Sequence, residues 1–169
     1  KSGNGLRIFA AHLWQQGFAG SPDFDILTPA GRVTAHILDE RGERIAMDMG
    51  VARFDSAGLG LTTDEPELIE REVEALGHGA TITAVNMGNP HCVVFRMDSH
   101  EFMFAAELSE WTAIMGPALE TLPLYPNRTN VQFARVADRH TVEIAIWERG
   151  VGYTLASGSS SCAAAAAAI

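Results

Sequence analysis

The sequence predicts an α+β fold of many short strands and few helices, and three observations lead there. Alternation of apolar and polar residues recurs along 25–49, 81–95 and 130–147, the period of a strand with one face turned inward. Apolar residues three and four positions apart are confined to an opening stretch, to 107–122 and to the closing run. The opening and closing helical stretches also begin alike, each on a serine followed by glycine and further small polar residues.

Taken in order, Ser2-Gly3-Asn4-Gly5 reads as a glycine-rich turn feeding a helix, with Leu6, Phe9, Ala10 and Leu13 at helical spacing and Gly17 as its stop. Segments 25–28, 33–38 and 45–49, separated by the turns Pro29-Ala30-Gly31 and Glu40-Arg41-Gly42, predict an antiparallel meander. Residues 50–60 read as a loop and as the best place for a domain boundary. Beyond it, strand 81–87 ends at Gly88-Asn89-Pro90-His91 and strand 92–95 resumes. Leu108, Trp111, Met115 and Leu119 predict a half-buried helix over 107–122. Strands 130–136 and 141–147 alternate most clearly and are joined by a turn at Asp138-Arg139. Glu148-Arg149-Gly150-Val151-Gly152 is expected to be a loop, and Ser157-Gly158 opens the last helix.

At 169 residues, with 47% hydrophobic and 20% charged content, the chain has the composition of a folded protein and enough length for a sizeable core. Its net charge of -9 is spread without a clustered basic face, which argues against nucleic acid as a partner. Two cysteines, Cys92 and Cys162, are too few for a disulfide framework, so a reducing cytoplasm is the expected compartment. The apolar closing run of eight residues falls far short of the roughly 20 that span a bilayer, so no membrane partner is expected. The chain starts without methionine and stops inside a helical run, and is expected to be a fragment lacking both ends.

The two like-starting helices carry the first hint of function. A helix start leaves N–H groups without intrahelical partners, and the helix dipole adds to their pull on an anion. Two such turns facing each other could hold a carboxylate and present one small side chain to either face of a bound molecule. Read separately, each is an ordinary serine cap.

Four longer motifs add a family. Ser2-Gly3-Asn4-Gly5-Leu6-Arg7, Asn86-Met87-Gly88-Asn89-Pro90-His91-Cys92-Val93, Asn127-Arg128-Thr129-Asn130-Val131 and the stretch from Trp147 to Ser159 resemble, in order and spacing, the active-site segments of the diaminopimelate epimerase family. The resemblance spans nearly the whole chain. It implies two similar halves, each a curled sheet around a central helix, with the active site in the cleft. Residues 1–49 would then be the remainder of the first half-domain and 50–169 the second half-domain without its C-terminal end.

The resemblance also implies a reaction: interconversion of LL- and meso-diaminopimelate by two-base proton transfer at the α-carbon, with no cofactor and no metal. It places the two proton-transfer positions at Ser2 and Ser157, where the family carries cysteines. Asn89 and Asn130 would hydrogen-bond the distal end of the substrate, Glu148 its ammonium and Arg149 its carboxylate. Gly3, Asn4, Gly158 and Ser159 would offer N–H groups to the reacting carboxylate. The planar Arg149 guanidinium suits that role on chemical grounds as well.

Three departures from the family pattern bear on activity. Thiols near a helix start titrate close to neutrality, whereas a serine hydroxyl is far less acidic, and no base adjoins Ser2 or Ser157 in sequence. Turnover is therefore expected to be impaired. Tyr153 stands where the family has glutamate, and Ser160 where it has glycine, with a phenol and an extra Cβ that could reshape the second turn. Cys162 reads as a small core residue among alanines, not as a replacement catalyst. Cys92 and His91 are neighbours on a strand and face opposite sides, which disfavours a dyad. His12, His36, His78, His100 and His140 lack ligand spacing and read as surface or core residues.

Alternatives remain open. A non-catalytic amino-acid-binding paralogue would keep the pocket without turnover, a related racemase or isomerase would act on another substrate, and the serines could be deliberate replacements. The expected partner is a small amino acid; a homodimer is among the assemblies left open.

Overall fold

The computed structural model describes residues 2–29, 31–98 and 108–169. Ala30 of the first predicted turn, His100, and Glu107 at the head of the 107–122 helix lie outside them. The chain divides into two compact units, Lys1–Val51 with Ser157–Ser159, and Ala52–Ala156 with Ser160–Ile169.

The first unit packs one helix on a three-stranded antiparallel sheet. Helix α1 (Gly3–Gln15) starts directly at Ser2, whose Oγ accepts from the Gly5 N–H at 3.3 Å, and ends before Gly17 at φ 71°. The glycines therefore occupy the first turn of the helix and do not precede it; those positions lack intrahelical N–H partners in any case. Strands β1 (Asp23–Thr28), β2 (Gly31–Ile37) and β3 (Ile45–Met47) form the predicted meander in the order β1-β2-β3, with Ile26 opposite Val33. Their alternation puts Ile26, Val33 and Ala35 under Leu6 and Ala10 of α1, with Phe24, Ile45 and Met47 around the edge.

The second unit centres on a six-stranded sheet running in sequence order from β4 (Arg71–Ala75) to β9 (Gly152–Thr154). Strands β5 (His78–Asn86) and β6 (Pro90–Met97) pair antiparallel around the Met87-Gly88-Asn89 turn, where Gly88 takes a φ of 90°. β6 then pairs parallel with β7 (Asn130–Asp138), which pairs antiparallel with β8 (Thr141–Glu148). Helix α3 (Leu108–Glu120) lies on β7 and β8, and buries Trp111, Met115 and Leu119 against Ile82, Val94, Val131 and Phe133. A Cβ on Gly116 would fall 2.7 Å from the Trp147 ring, so glycine there lets the helix approach the strand.

Three elements differ from the sequence expectation. The 50–60 loop contains a one-turn helix, α2 (Ser56–Leu59), capped by Asp55 and closed by Gly60 at φ 66°. Among the described residues, strand β4 (Arg71–Ala75) is rich in charge and pairs only with β5, and β9 (Gly152–Thr154) is three residues long and pairs only with β8. Edge strands need no apolar alternation, so neither announced itself. The last helix, α4 (Gly158–Ala167), opens where expected. Among the described residues no helix is long and apolar enough to cross a membrane.

Candidate functional site

The two serine turns come together within the first unit. A Cβ on Gly3 would stand 3.2 Å from the Gly158 Cα, and one on Gly158 would stand 3.4 Å from the Gly3 Cα. A Cβ on Gly3 would make the Gly158 backbone give by a few tenths of an ångström, which accounts for glycine at that position in packing terms. Ser2 is exposed, with its hydroxyl oxygen in the cap bond, while Ser157 and Ser159 are buried. Asn4 is half-buried and its Oδ1 accepts from the Arg7 guanidinium. Asn4 follows Gly3 and Ser159 follows Gly158 in the chain, so the Gly3–Gly158 approach brings these two helix starts near each other. A cap bond does not itself activate a hydroxyl; that takes a base to receive its proton.

The other four predicted binding residues belong to the second unit. Asn130 is buried, and both ends of its carboxamide are engaged: Nδ2 donates to the Pro90 carbonyl at 3.0 Å and Oδ1 accepts from the Arg149 N–H at 3.0 Å. It therefore staples the start of β6 to the bend after β8. Arg149 is exposed, and its guanidinium donates to the Asn127 carbonyl at 3.1 Å. Glu148 is half-buried at the end of β8, and Asn89 is half-buried in the β5–β6 turn.

Two groups that hold these residues went unnoticed in the sequence. Glu120, buried at the end of α3, accepts from the Trp147 indole at 2.7 Å, from the Gly150 N–H at 3.0 Å and from Arg128 at 3.5 Å. It ties down both sides of Glu148-Arg149. A glutamate four residues after Gly116 shares its helical face, so the inward turn of an acidic residue at that step was the available signal. The other group is a line of polar side chains in which His91, Gln132 and Ser160 are buried and Asn89 is half-buried. His91 Nε2 lies 3.2 Å from Asn89 Oδ1, His91 Nδ1 lies 3.3 Å from Gln132 Oε1, and Gln132 Nε2 donates to Ser160 Oγ at 3.1 Å. Gln132 sits in β7, where five consecutive residues are buried. A polar residue in a strand covered on both faces marks such a network.

Burial pushes the His91 imidazole down to about 4, aided by the Arg149 guanidinium and opposed by its Gln132 bond, so the ring is neutral near pH 7. Burial pushes the Cys92 thiol up to about 12. Its polar neighbour is the Tyr125 hydroxyl, itself pushed well up by burial; that hydroxyl lacks a well-formed hydrogen bond and lies beside the thiol. His91 and Cys92 thus serve different partners and form no dyad. Cys162 is half-buried, not the core residue expected, although Ala163 and Ala164 behind it are fully packed. The Tyr153 phenol is 44% exposed on an edge strand, and Ser160 is buried with a partner, so the second turn forms with both departures present. His36 pairs with Asp23 on the surface, and His12 is exposed.

The family model for diaminopimelate epimerase matches residues 83–169. The chain is 46% identical over 169 residues to a Nostoc sp. protein named diaminopimelate epimerase 2, covering 99% of this chain and 56% of that protein. It is 34% identical to a diaminopimelate epimerase of Moorella thermoacetica and 33% identical to one of Pelotomaculum thermopropionicum, covering 98% and 99% of this chain and 57% and 58% of those proteins. The chain is thus an α+β protein that carries this family's segments. The chain belongs to the diaminopimelate epimerase family. It spans about half the length of the curated relatives it matches.

Proposed function

We propose that this chain is part of a cofactor-independent epimerase that interconverts LL- and meso-diaminopimelate. The observation that carries the reading is the close approach of Gly3 and Gly158, which brings two serine-led helix starts together. The reaction removes the α-proton on one face of the substrate and returns a proton on the other. The negative charge held in between requires fixed N–H dipoles when no electron sink is present. In this reading Gly3, Asn4, Gly158 and Ser159 supply those dipoles, and Ser2 and Ser157 stand at the two proton-transfer positions. Asn89, Asn130, Glu148 and Arg149 recognise the distal amino-acid end. The names of the relatives support the substrate.

A second reading has support in the Ser2 cap bond: a hydroxyl oxygen engaged with its own helix, with no base to take its proton, suits a protein that binds the amino acid without turning it over. The cytoplasm is the compartment proposed, and a homodimer is one assembly consistent with the family.

Deuterium incorporation separates the two. The protein is incubated with LL-diaminopimelate in deuterated water, as it stands and with Ser2→Cys and Ser157→Cys combined. Exchange that appears or rises with the cysteines supports an impaired epimerase. Binding without exchange in either form favours the binding protein, and neither binding nor exchange rejects the diaminopimelate assignment.

A further inference from the structure

At Asn4-Gly5 the backbone can react with its own side chain. The backbone nitrogen after an asparagine can attack the carboxamide carbon, most readily when the next residue has no Cβ to crowd the ring and turns freely. Of the five asparagines, Asn4 alone is followed by glycine, and Asn89 is followed by proline, which has no N–H to lose. In the five-membered ring, Cβ and the following nitrogen are nearly eclipsed about the Cα–C bond. A helical ψ of about −42° holds them apart, so the Asn4–Gly5 peptide must leave the helix to react. Three contacts in the first turn of α1 oppose that. The Gly5 N–H donates to Ser2 Oγ at 3.3 Å, the Leu6 N–H to the Ser2 carbonyl at 2.9 Å, and the Arg7 guanidinium to Asn4 Oδ1. Arginine has no acceptor, so the atom facing it is the oxygen, and the carboxamide is tied one turn along the helix.

We infer that Asn4 is a deamidation site held shut by the first turn of α1, with Ser2 and Arg7 as the groups that hold it. When the turn opens, the Gly5 nitrogen loses its proton and bonds to Asn4 Cγ, and ammonia leaves, which gives a succinimide. Water then opens the ring at either carbonyl, so the product at position 4 is aspartate or isoaspartate. One water is consumed and one ammonia released. Gly5 is exposed and Asn4 half-buried, so water reaches the bond. Helix ends open at far lower free energy than a core, so the site is slowed and not sealed. The product places a new carboxylate at the start of α1, and isoaspartate also lengthens the backbone there. That this charge would repel a bound carboxylate rests on the function proposed above; the modification does not.

The test is peptide mapping by mass spectrometry of the whole chain kept in mildly alkaline buffer, which follows the mass gain at Asn4 and the share of isoaspartate. The same measurement in guanidinium chloride gives the rate of the open chain, and the folded parent is expected to react more slowly. Ser2→Ala removes the cap and should speed the folded reaction about five-fold, the shift in opening that one serine cap controls. Ser2→Asp keeps a cap without a hydroxyl and should return the slow rate. Arg7→Met frees the carboxamide and should also speed the reaction, and all forms should react alike once unfolded. A folded parent as fast as the unfolded chain overturns the inference. So does a Ser2→Ala or Arg7→Met rate no higher than the parent's, a Ser2→Asp rate equal to that of Ser2→Ala, or a difference among variants that persists in guanidinium chloride. No readout needs ligand or turnover, so the inference can fail while deuterium exchange succeeds, and the reverse.

Discussion

Removing the Glu120 carboxylate is expected to cost the second unit several kilocalories and to loosen the segment that carries Glu148 and Arg149. Glu120 is 5% exposed and receives the Trp147 indole N–H at 2.7 Å and the Gly150 N–H at 3.0 Å. Each buried donor left without a partner costs about 1–3 kcal/mol, with the lower end for Gly150, which water can reach. The Arg128 pair adds under about 1 kcal/mol, since that guanidinium is 60% exposed. Glu120→Ala should therefore destabilise by about 2–4 kcal/mol. Glu120→Gln keeps shape and one acceptor oxygen, loses one of the two main bonds, and should cost about 1–2 kcal/mol. Urea unfolding read by tryptophan fluorescence measures both. The alanine variant is expected to lower Tm by about 5–12 °C. The reasoning is refuted if alanine and glutamine cost the same, or if alanine stays within about 0.5 kcal/mol of the parent, the range of an ordinary surface change.

Two further outcomes follow from the packing and the titration. Gly3→Ala forces a Cβ to 3.2 Å from the Gly158 Cα and should cost about 1–3 kcal/mol, whereas Gly5→Ala meets the Ser2 side chain, Oγ at 3.3 Å and Cβ at 3.6 Å, and should cost less; thermal unfolding of the pair checks this. His91 titrates at about 4 in the folded chain against 6.5 unfolded, so the unfolded chain binds the extra proton between those values. Its contribution is fully present above pH 6.5 and declines as pH falls towards 4, by about 3 kcal/mol in all. Urea midpoints measured across that window should fall with pH, and His91→Gln should flatten that part of the profile.

The sequence by itself determined the α+β class, the meander of the first unit, the strong pair β7–β8 and the two serine-led helix starts. Each of these is written locally: alternation fixes a half-buried strand, and a serine before glycine and an apolar repeat fixes a helix start. It also carried the family, because four ordered motifs survive without knowledge of where they fold. The edge strands β4 and β9 were illegible, since pairing on one side places no demand on side-chain pattern. What Glu120, Gln132 and Ser160 do was not legible either. Their partners lie 30, 41 and 28 positions away in the chain, at Gly150, His91 and Gln132 respectively. Only tertiary packing removes water from these groups, and once water is gone each must take the partner the fold supplies. The sequence could name the residues expected to meet a ligand, while the groups that hold Asn89, Glu148 and Arg149 in place were decided by the fold.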